Sequence, residues 1–145
     1  MDYLNIPLLS SERKMVRLRD FLGRKMVLYF YPKDDTPGCT VEAKEFTSLK
    51  QDYQAKGYQI IGVSRDSVDS HISFCKKQDL DLLLLSDTEL VLSKEMGVIQ
   101  EKLVDGKAVM GIARSTFVLD ETGKVIREYR HVIPQGHALK LLEEI

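Results

Sequence analysis

Apolar residues along the chain fall into short runs and into longer stretches of helical character. Three short runs are largely apolar, and they lie at residues 26–31, 58–64 and 82–85. Runs of this length and composition are typical of strands buried in a parallel sheet. Helices are predicted between and after these runs, over residues 39 to about 54, 67–78 and 89–95. The first helix places Phe46, Leu49 and Tyr53 on one face, which is expected to be buried.

The pattern changes in the second half of the chain. Two strands around a turn are predicted at residues 112–120 and 124–130, and a terminal helix at 135–144. A short N-terminal hairpin is predicted from residues 6–9 and 15–18. Because parallel strands are joined by right-handed crossovers, this order predicts an α/β fold with a central mixed sheet and helices on both faces. The 145 residues contain no linker or repeat, so a single domain, 1–145, is expected.

The charge balance excludes several classes of partner. Lys and Arg number 21 and Asp and Glu number 22, so the formal net charge is −1. A protein that binds nucleic acid or a membrane surface needs a basic surface, which this composition does not provide. No apolar run is long enough to span a bilayer, and residues 1–10 lack a secretory signal, so a cytoplasmic location is expected. In that reducing compartment the two cysteines are core residues or redox groups.

Cys39 lies where a buried strand passes into the first turn of a helix. Unpaired backbone N–H groups and the helix dipole stabilise an anion at such a turn. An ordinary thiol has a pKa of about 8.5 and needs about 2.7 kcal/mol of added stabilisation to be mostly thiolate at neutral pH. A helix end supplies about 1 to 2 kcal/mol of this. A cation is therefore also needed, and Arg114, a charge entering an apolar strand, is the best candidate.

Each of these residues also has an ordinary structural interpretation. Thr36 lies three residues before Cys39, so its hydroxyl is expected to donate to the sulfur or to a bound oxygen while it accepts from a backbone N–H. The alternative is that Thr36 is a plain helix-cap or turn residue. Pro32 stiffens the loop and removes an amide donor. Glu42 either complements the helix dipole or orients Arg114. The alternative for Cys39 is an inert buried thiol, and for Arg114 a surface ion pair.

The motif around Cys39 resembles the active site of the peroxiredoxins. It consists of Phe30-Tyr31-Pro32-Lys33, Thr36-Pro37-Gly38-Cys39-Thr40 and Glu42-Ala43. The full string is similar to the bacterioferritin comigratory protein (PrxQ-type) subfamily. Segments 62–67, 84–87 and 114–120 resemble that subfamily as well. The resemblance implies a thioredoxin-like fold, which agrees with the predicted order of elements.

The resemblance also implies a thiol peroxidase that acts on hydrogen peroxide and small organic hydroperoxides. Cys39 would be the peroxidatic cysteine, whose thiolate attacks the peroxide and becomes a sulfenic acid. Thr36, Arg114 and the backbone N–H of Cys39 are implied to hold the peroxide oxygens, and Pro32 to shield the sulfenic acid. No metal or other cofactor is implied, and the histidines and cysteines share no metal-ligand spacing.

The resolving cysteine is the point at which the chain departs from the pattern of many subfamily members. Those members carry it five residues after the peroxidatic cysteine, where this chain has Lys44. A second group carries it on the next helix, and resemblance to that group implies Cys75. The alternative is that Cys75 is a core residue, because Val68, Ile72 and Cys75 share a helical stripe expected to face the sheet.

A disulfide between Cys39 and Cys75 is expected to require local unfolding. It needs Cα atoms about 4.4 to 6.8 Å apart, and the starts of adjacent helices are typically more widely separated. The turn around Cys39 and part of the helix at 67–78 are therefore expected to unwind. The family implies thioredoxin as the reductant of this disulfide. An internal resolving thiol needs no second subunit, which favours a monomer.

Other functions of Cys39 remain open beside peroxide reduction. A phosphatase-type loop needs arginine six residues after the cysteine, where the chain has Glu45, and a Cys–His hydrolase would have only His131 to use. A thioredoxin-type oxidoreductase needs a second cysteine where Glu42 stands. A one-cysteine peroxidase with a structural Cys75, and a non-catalytic thioredoxin-like binding module, are the remaining alternatives.

Overall fold

The computed structural model describes residues 2–145, and nine strands and five α-helices lie in that range. The strands are β1 (Leu8–Ser10), β2 (Met15–Val16), β3 (Lys25–Phe30), β4 (Tyr58–Ser64), β5 (Leu83–Ser86), β6 (Ile99–Val104), β7 (Lys107–Ile112), β8 (Ser115–Leu119) and β9 (Val125–Tyr129). The helices are α1 (Pro37–Ser48), α2 (Lys50–Ala55), α3 (Val68–Gln78), α4 (Val91–Glu95) and α5 (His137–Glu144). Within residues 2–145, no helix combines the length and the apolar character that a membrane crossing requires.

Seven of the strands form one mixed sheet in the order β2-β1-β5-β4-β3-β8-β9. β3, β4 and β5 run parallel, whereas β8 runs antiparallel to β3. Phe30, the last residue of β3, pairs with Val63 on one side and with Ser115, the first residue of β8, on the other. The loop after β3 and the residue before β8 therefore lie at the same edge of the sheet, which sets the position of the site.

Apolar side chains cover both faces of this sheet. Val27 and Tyr29 of β3 belong to one cluster, which also takes side chains from α1, α3 and α5. Leu28 and Phe30 point to the opposite face and join a second cluster that includes Leu92 of α4. This alternation is the two-residue period of a strand buried on both sides. The predicted α/β fold, with a central mixed sheet and helices on both faces, is confirmed.

The helix predicted from residue 39 to about 54 is divided into two. α1 begins earlier, at Pro37, and ends at Ser48, and α2 begins at Lys50. Proline is favoured in a first turn because its missing N–H would be unpaired there in any case. At the other end, the Ser48 hydroxyl donates to the Glu45 carbonyl and competes with the helical ladder.

The strand predicted over residues 112–120 is also divided, and a separate hairpin precedes the break. β6 and β7 pair with each other around Asp105 and Gly106, both in the left-handed region. An Asp-Gly pair is typical of a two-residue hairpin turn. Most side chains of this hairpin are exposed, so the apolar pattern did not reveal it. Arg114 lies in the gap between β7 and β8 rather than inside a strand.

The stripe expected to face the sheet from the helix at 67–78 is only partly buried, although Cys75 packs against an apolar cluster on one face of the sheet. Val68, Ile72 and Cys75 are only half-buried, and the buried residues of α3 are His71 and Phe74. A histidine is tolerated at a core position here because both of its ring nitrogens have hydrogen-bonding partners.

Candidate active site

Cys39 is the third residue of α1 and its side chain is almost wholly buried. Thr36 is the N-cap, and the first intrahelical bond runs from the Thr40 N–H to the Thr36 carbonyl. The N–H groups of Gly38 and Cys39 precede that bond and have no carbonyl partner within the helix. A negative charge beside Cys39 therefore meets backbone donors and the positive end of the helix dipole.

Arg114 bridges the cysteine and a carboxylate, as the sequence predicts. Its Nη2 lies 3.3 Å from the Cys39 sulfur, and its Nη1 donates to Glu42 Oε1 at 2.8 Å. The two bonds use two nitrogens of one planar guanidinium, so Glu42 fixes the orientation in which the group faces the sulfur. Of the two roles open to Glu42, the geometry favours the orientation of Arg114 over the general effect on the helix dipole.

The electrostatics of this pair follow from its burial. Removal from water raises the pKa of Glu42 to about 7, although the charge and the hydrogen bond of Arg114 oppose this shift. For Arg114, burial lowers the pKa, but the opposite charges of Glu42 and Cys39 outweigh it and leave the pKa raised. Glu42 Oε2 is buried and has no hydrogen-bond partner within residues 2–145. The carboxylate is therefore held by one strong bond only.

Gly38 makes room for the guanidinium, a requirement that sequence reasoning missed. A Cβ at this position would lie 3.1 Å from Arg114 Nη2 and 3.3 Å from Pro134 Cγ. A side chain at residue 38 would therefore press on the group that contacts the sulfur. The glycine was visible in the motif, but its neighbours come from residues 114 and 134 and could not be read locally.

Thr36 makes a different hydrogen bond from the one expected. Its hydroxyl donates to the Lys33 carbonyl at 2.9 Å, and its side chain makes no capping bond to the helix. The expectation that it donates to the sulfur and accepts from a backbone N–H is therefore not met in this structure. Since the hydroxyl proton is directed at Lys33, the oxygen has its lone pairs left to accept a hydrogen bond.

Cys75 lies in the second half of α3, and its side chain packs against the apolar cluster that contains Cys39. Both cysteines are free thiols. α1 packs chiefly on α5 and α2, whereas α3 packs on β5. Cys75 is half-buried, and burial, reinforced by the charges of Asp34 and Asp81, raises its pKa to about 11. The structure thus places Cys75 as a protonated, weakly nucleophilic thiol.

Pro32 and Asp34 lie in the loop between β3 and α1, whereas His131 follows β9. Pro32 is half-buried and follows Tyr31 at the end of β3. Asp34, in the same loop, is buried against His71 of α3, a contact that the sequence did not indicate because the loop is rich in charge. His131, the histidine considered for a hydrolase, is exposed, and no histidine within residues 2–145 is hydrogen-bonded to Cys39.

Comparison with known sequences gives consistent matches over most of the chain. The AhpC/TSA family matches residues 4–128. Peroxiredoxin Bcp of Xanthomonas campestris pv. campestris is 46% identical over 134 residues, which are 92% of this chain and 84% of that protein. Peroxiredoxin Bcp of Bacillus subtilis is 40% identical over 141 residues, 97% of this chain and 90% of that protein.

Solved structures of similar proteins share the whole architecture. The bacterioferritin comigratory protein of Xanthomonas campestris, studied for its alkyl peroxide reduction activity, superposes with a TM-score of 0.92 at 42% identity. The match covers 98% of this chain and 90% of that one. Peroxidoxin BcpB of Mycobacterium tuberculosis superposes with a TM-score of 0.84 at 31% identity, over 95% and 89% of the two chains.

Proposed function

Because the chain belongs to the AhpC/TSA family and is a peroxiredoxin of the Bcp (PrxQ) type with a thioredoxin-like fold, we propose that Cys39 is its peroxidatic cysteine. The chain is a thiol peroxidase, an oxidoreductase that reduces hydrogen peroxide and small organic hydroperoxides. The observation that carries the role of Cys39 is the guanidinium of Arg114, 3.3 Å from its sulfur and oriented by Glu42.

The reaction at Cys39 is a displacement on oxygen. The thiolate attacks the terminal oxygen of the hydroperoxide, an S–O bond forms and the O–O bond breaks. The leaving oxygen takes a proton and departs as water or an alcohol, and Cys39 is oxidised to a sulfenic acid. Negative charge moves from sulfur to the leaving oxygen, so donors fixed on both atoms stabilise the transition state more than the ground state.

The residues around Cys39 divide this task between them. Arg114 and the N–H of Cys39 donate to the peroxide oxygens. Thr36 accepts the hydrogen bond of the peroxide O–H, which its bond to the Lys33 carbonyl supports. Pro32, half-buried and without an N–H, covers the sulfur against further oxidation.

The role of Cys39 is tested by stopped-flow measurement of peroxide consumption, with and without thioredoxin. Cys39→Ser should abolish the reaction, whereas Cys75→Ser should retain the first turnover. Measurable peroxide consumption by Cys39→Ser would contradict the assignment. The same experiment separates the peroxidase from a non-catalytic binding module, in which neither substitution changes the rate of peroxide consumption.

Cys75 is the resolving cysteine in this proposal, and thioredoxin or a similar dithiol reduces the resulting disulfide. The two cysteines present on this chain, both free and both facing the same apolar cluster, support the pairing. The alternative is a one-cysteine peroxidase in which Cys75 is structural. Its raised pKa is compatible with that alternative unless α3 rearranges during the cycle.

The resolving role is tested by oxidation with stoichiometric peroxide and mapping of disulfides by mass spectrometry. A Cys39–Cys75 bond within one chain is expected. Cys39 recovered as sulfenic acid or as a mixed disulfide, with Cys75 free, would make this a one-cysteine enzyme.

An internal disulfide also bears on assembly and location. It needs no second subunit, so we propose a monomer built on a single domain, 1–145. Since both thiols must be regenerated in each cycle, we propose the reducing cytoplasm as the site of action. Sedimentation of the reduced and oxidised forms at micromolar concentration checks the first point, and a dimer mass in either form would contradict it.

A further inference from the structure

A buried polar cluster joins the loop before α1 to helix α3. The Asp34 carboxylate accepts from the Tyr31 hydroxyl at 2.7 Å and from the Ser70 hydroxyl at 2.8 Å. His71 Nδ1 lies 2.7 Å from Asp34 Oδ2, and His71 Nε2 lies 3.0 Å from the Leu85 carbonyl oxygen. The side chains of His71 and Asp34 are 0% and 3% exposed, so water does not compete for these bonds.

The partners of His71 fix where its protons lie. A carbonyl oxygen can only accept, so Nε2 donates to Leu85. Nδ1 lies 2.7 Å from Asp34 Oδ2, so a hydrogen bond joins the buried ring to the buried carboxyl group. Without Asp34, the buried His71 Nδ1 would face only the Tyr31 hydroxyl, 3.4 Å away, so breaking this contact costs more than breaking an exposed ion pair.

Further bonds hold the same loop at several points. The N–H of Asp34 donates to Asp66 Oδ2 at 2.8 Å, and the Ser64 hydroxyl donates to the same oxygen at 2.6 Å. Asp35, at an exposed position, pairs with Lys77 at 2.7 Å near the end of α3. The loop is thus attached to α3 on both sides of Cys75 in the sequence, through His71 and through Lys77.

These attachments oppose the movement that disulfide formation needs. Both cysteines are free, and α1 and α3 pack chiefly on different elements, so we expect one of these helices to shift before the two sulfurs bond. Burial and nearby carboxylates raise the pKa of Cys75 to about 11, so the resting thiol is also a poor nucleophile until it leaves these surroundings. Any shift of α3 away from the loop breaks the contact between His71 and Asp34.

We propose that Asp34 and His71 form a latch, a pair of positioning residues that sets the rate at which Cys75 reaches oxidised Cys39. The inference rests on the proposed resolving role of Cys75. In the gated step the Cys75 sulfur bonds to the Cys39 sulfur and the S–O bond of the sulfenic acid breaks. The departing hydroxide takes the Cys75 proton and leaves as water, so no other oxidant or reductant is needed.

The latch predicts that its weakening changes the rate of one chemical step and leaves the rate of the other unchanged. Peroxide reduction takes place with the latch closed and does not use it. Disulfide formation requires the latch to open, so a weaker latch accelerates this step. A shorter-lived sulfenic acid also meets less peroxide, so weakening the latch lowers the fraction of Cys39 converted to sulfinic acid.

The test is a rapid-quench single turnover with one equivalent of hydrogen peroxide, followed by intact mass spectrometry of the sulfenic acid and disulfide forms. Asp34→Asn replaces the carboxylate that faces His71 by an amide of the same size, and Ser70→Ala removes one outer hydrogen bond without disturbing the buried pair. Loss of a hydrogen bond should accelerate disulfide formation about threefold in Ser70→Ala and about tenfold or more in Asp34→Asn. Sulfenic acid formation should keep the wild-type rate in both.

Two matched controls lie on α3, the helix that carries Ser70 and His71. Asp69→Asn alters an exposed carboxylate that pairs with Arg13, outside the latch, and Ser73→Ala alters an exposed serine one turn from Ser70. Both should keep wild-type rates in both steps. Tyr53→Phe removes a buried hydrogen bond between α2 and α5 and controls for a general loss of stability.

Each outcome separates the latch from the function on which it rests. In one outcome, the wild type forms the disulfide, and Asp34→Asn and Ser70→Ala form it at the same rate as the wild type or more slowly. That result overturns the latch and leaves the resolving role of Cys75 intact. Equal acceleration in Tyr53→Phe also overturns it. Wild-type sulfenic acid that never becomes a disulfide overturns the resolving role, and the latch with it.

Discussion

The guanidinium of Arg114 is the residue-scale feature on which the peroxidase chemistry depends. It contacts the Cys39 sulfur through one nitrogen and the Glu42 carboxylate through another. A lysine has a single charged nitrogen and cannot reproduce this fork. The positive charge that favours a thiolate is therefore held in one orientation, which keeps donors in place while charge moves to the leaving oxygen.

We expect Arg114→Met to lower kcat/KM for hydrogen peroxide about 100-fold or more, because one fixed donor at the reacting atoms is lost. The measurement is steady-state peroxidase activity with thioredoxin, and circular dichroism verifies the fold. Arg127→Met, an exposed arginine of β9, is the matched control and should retain full activity. Activity of Arg114→Met within a factor of three of wild type would contradict the role of the guanidinium.

Cys75 differs from an ordinary exposed thiol, and this difference can be measured directly. Because its pKa is raised to about 11, its alkylation by iodoacetamide should be slow at pH 7 and should rise about tenfold per pH unit toward pH 11. The experiment uses Cys39→Ser, in which Cys75 is the sole thiol. A labelling midpoint near 8.5 would show that Cys75 is solvated in the resting enzyme and that no rearrangement is needed to activate it.

At the scale of elements, close packing between the parallel strands β3 and β4 sets the position of α1, the helix that carries Cys39. The ring of Tyr29 in β3 stacks on two other rings. Its centroid lies 5.5 Å from that of Tyr31, which follows β3, and 4.7 Å from that of Phe46 in α1. The Tyr29 ring lies directly over Gly62 of β4, where a Cβ would be 2.9 Å from Tyr29 Cζ and 2.8 Å from Leu84 Cδ2. The glycine therefore sets the depth at which the aromatic stack, and α1 above it, can lie.

Gly62→Ala should lower the free energy of unfolding by about 1 to 3 kcal/mol, because the added methyl group overpacks a rigid part of the core. Urea denaturation of the reduced protein measures this. Gly111→Ala in β7, where a Cβ would meet nothing within 4 Å, is the matched control and should change stability by less than about 0.5 kcal/mol. Equal effects of the two substitutions would refute the packing argument.

At the scale of the whole molecule, the stability of the fold is linked to the protonation of Glu42. The folded pKa is about 7, above the ordinary value of 4.5. The folded chain therefore binds this proton more tightly than the unfolded chain does. Its contribution to stability is fully present below pH 4.5 and is lost as the pH rises through 7, with a slope of about 1.4 kcal/mol per pH unit between these values.

Glu42→Gln should flatten this dependence, because glutamine carries no titrating proton. Unfolding free energies measured from pH 5 to pH 8 should fall more steeply for the wild type than for Glu42→Gln. Glu143→Gln, at an exposed position of α5, is the matched control and should keep the wild-type slope. Parallel profiles for wild type and Glu42→Gln would show that Glu42 stays ionised throughout this range.

The elements that local patterns describe well were predictable, and those that depend on distant partners were not. Apolar runs at 26–31 and 58–64 indicated β3 and β4 because both strands are buried on two faces. The exposed β6–β7 hairpin carries no such pattern, although Asp105-Gly106 marked its turn. The burial of His71 could not be predicted, because it depends on an acceptor in a loop 37 residues earlier.

The amino-acid sequence by itself determined the class of fold, the motif that carries Cys39 and the need for a cation beside it. These follow from local properties: apolar periodicity, the chemistry of a helix N-terminus and the free energy of a thiolate. Only the tertiary structure decided which atoms meet. The antiparallel register of β3 and β8 delivers Arg114 to a cysteine 75 residues away, and the packing of α3 buries His71 on Asp34. Contacts of this kind depend on strand order and close packing, which involve the whole chain at once and leave no signature in any one segment.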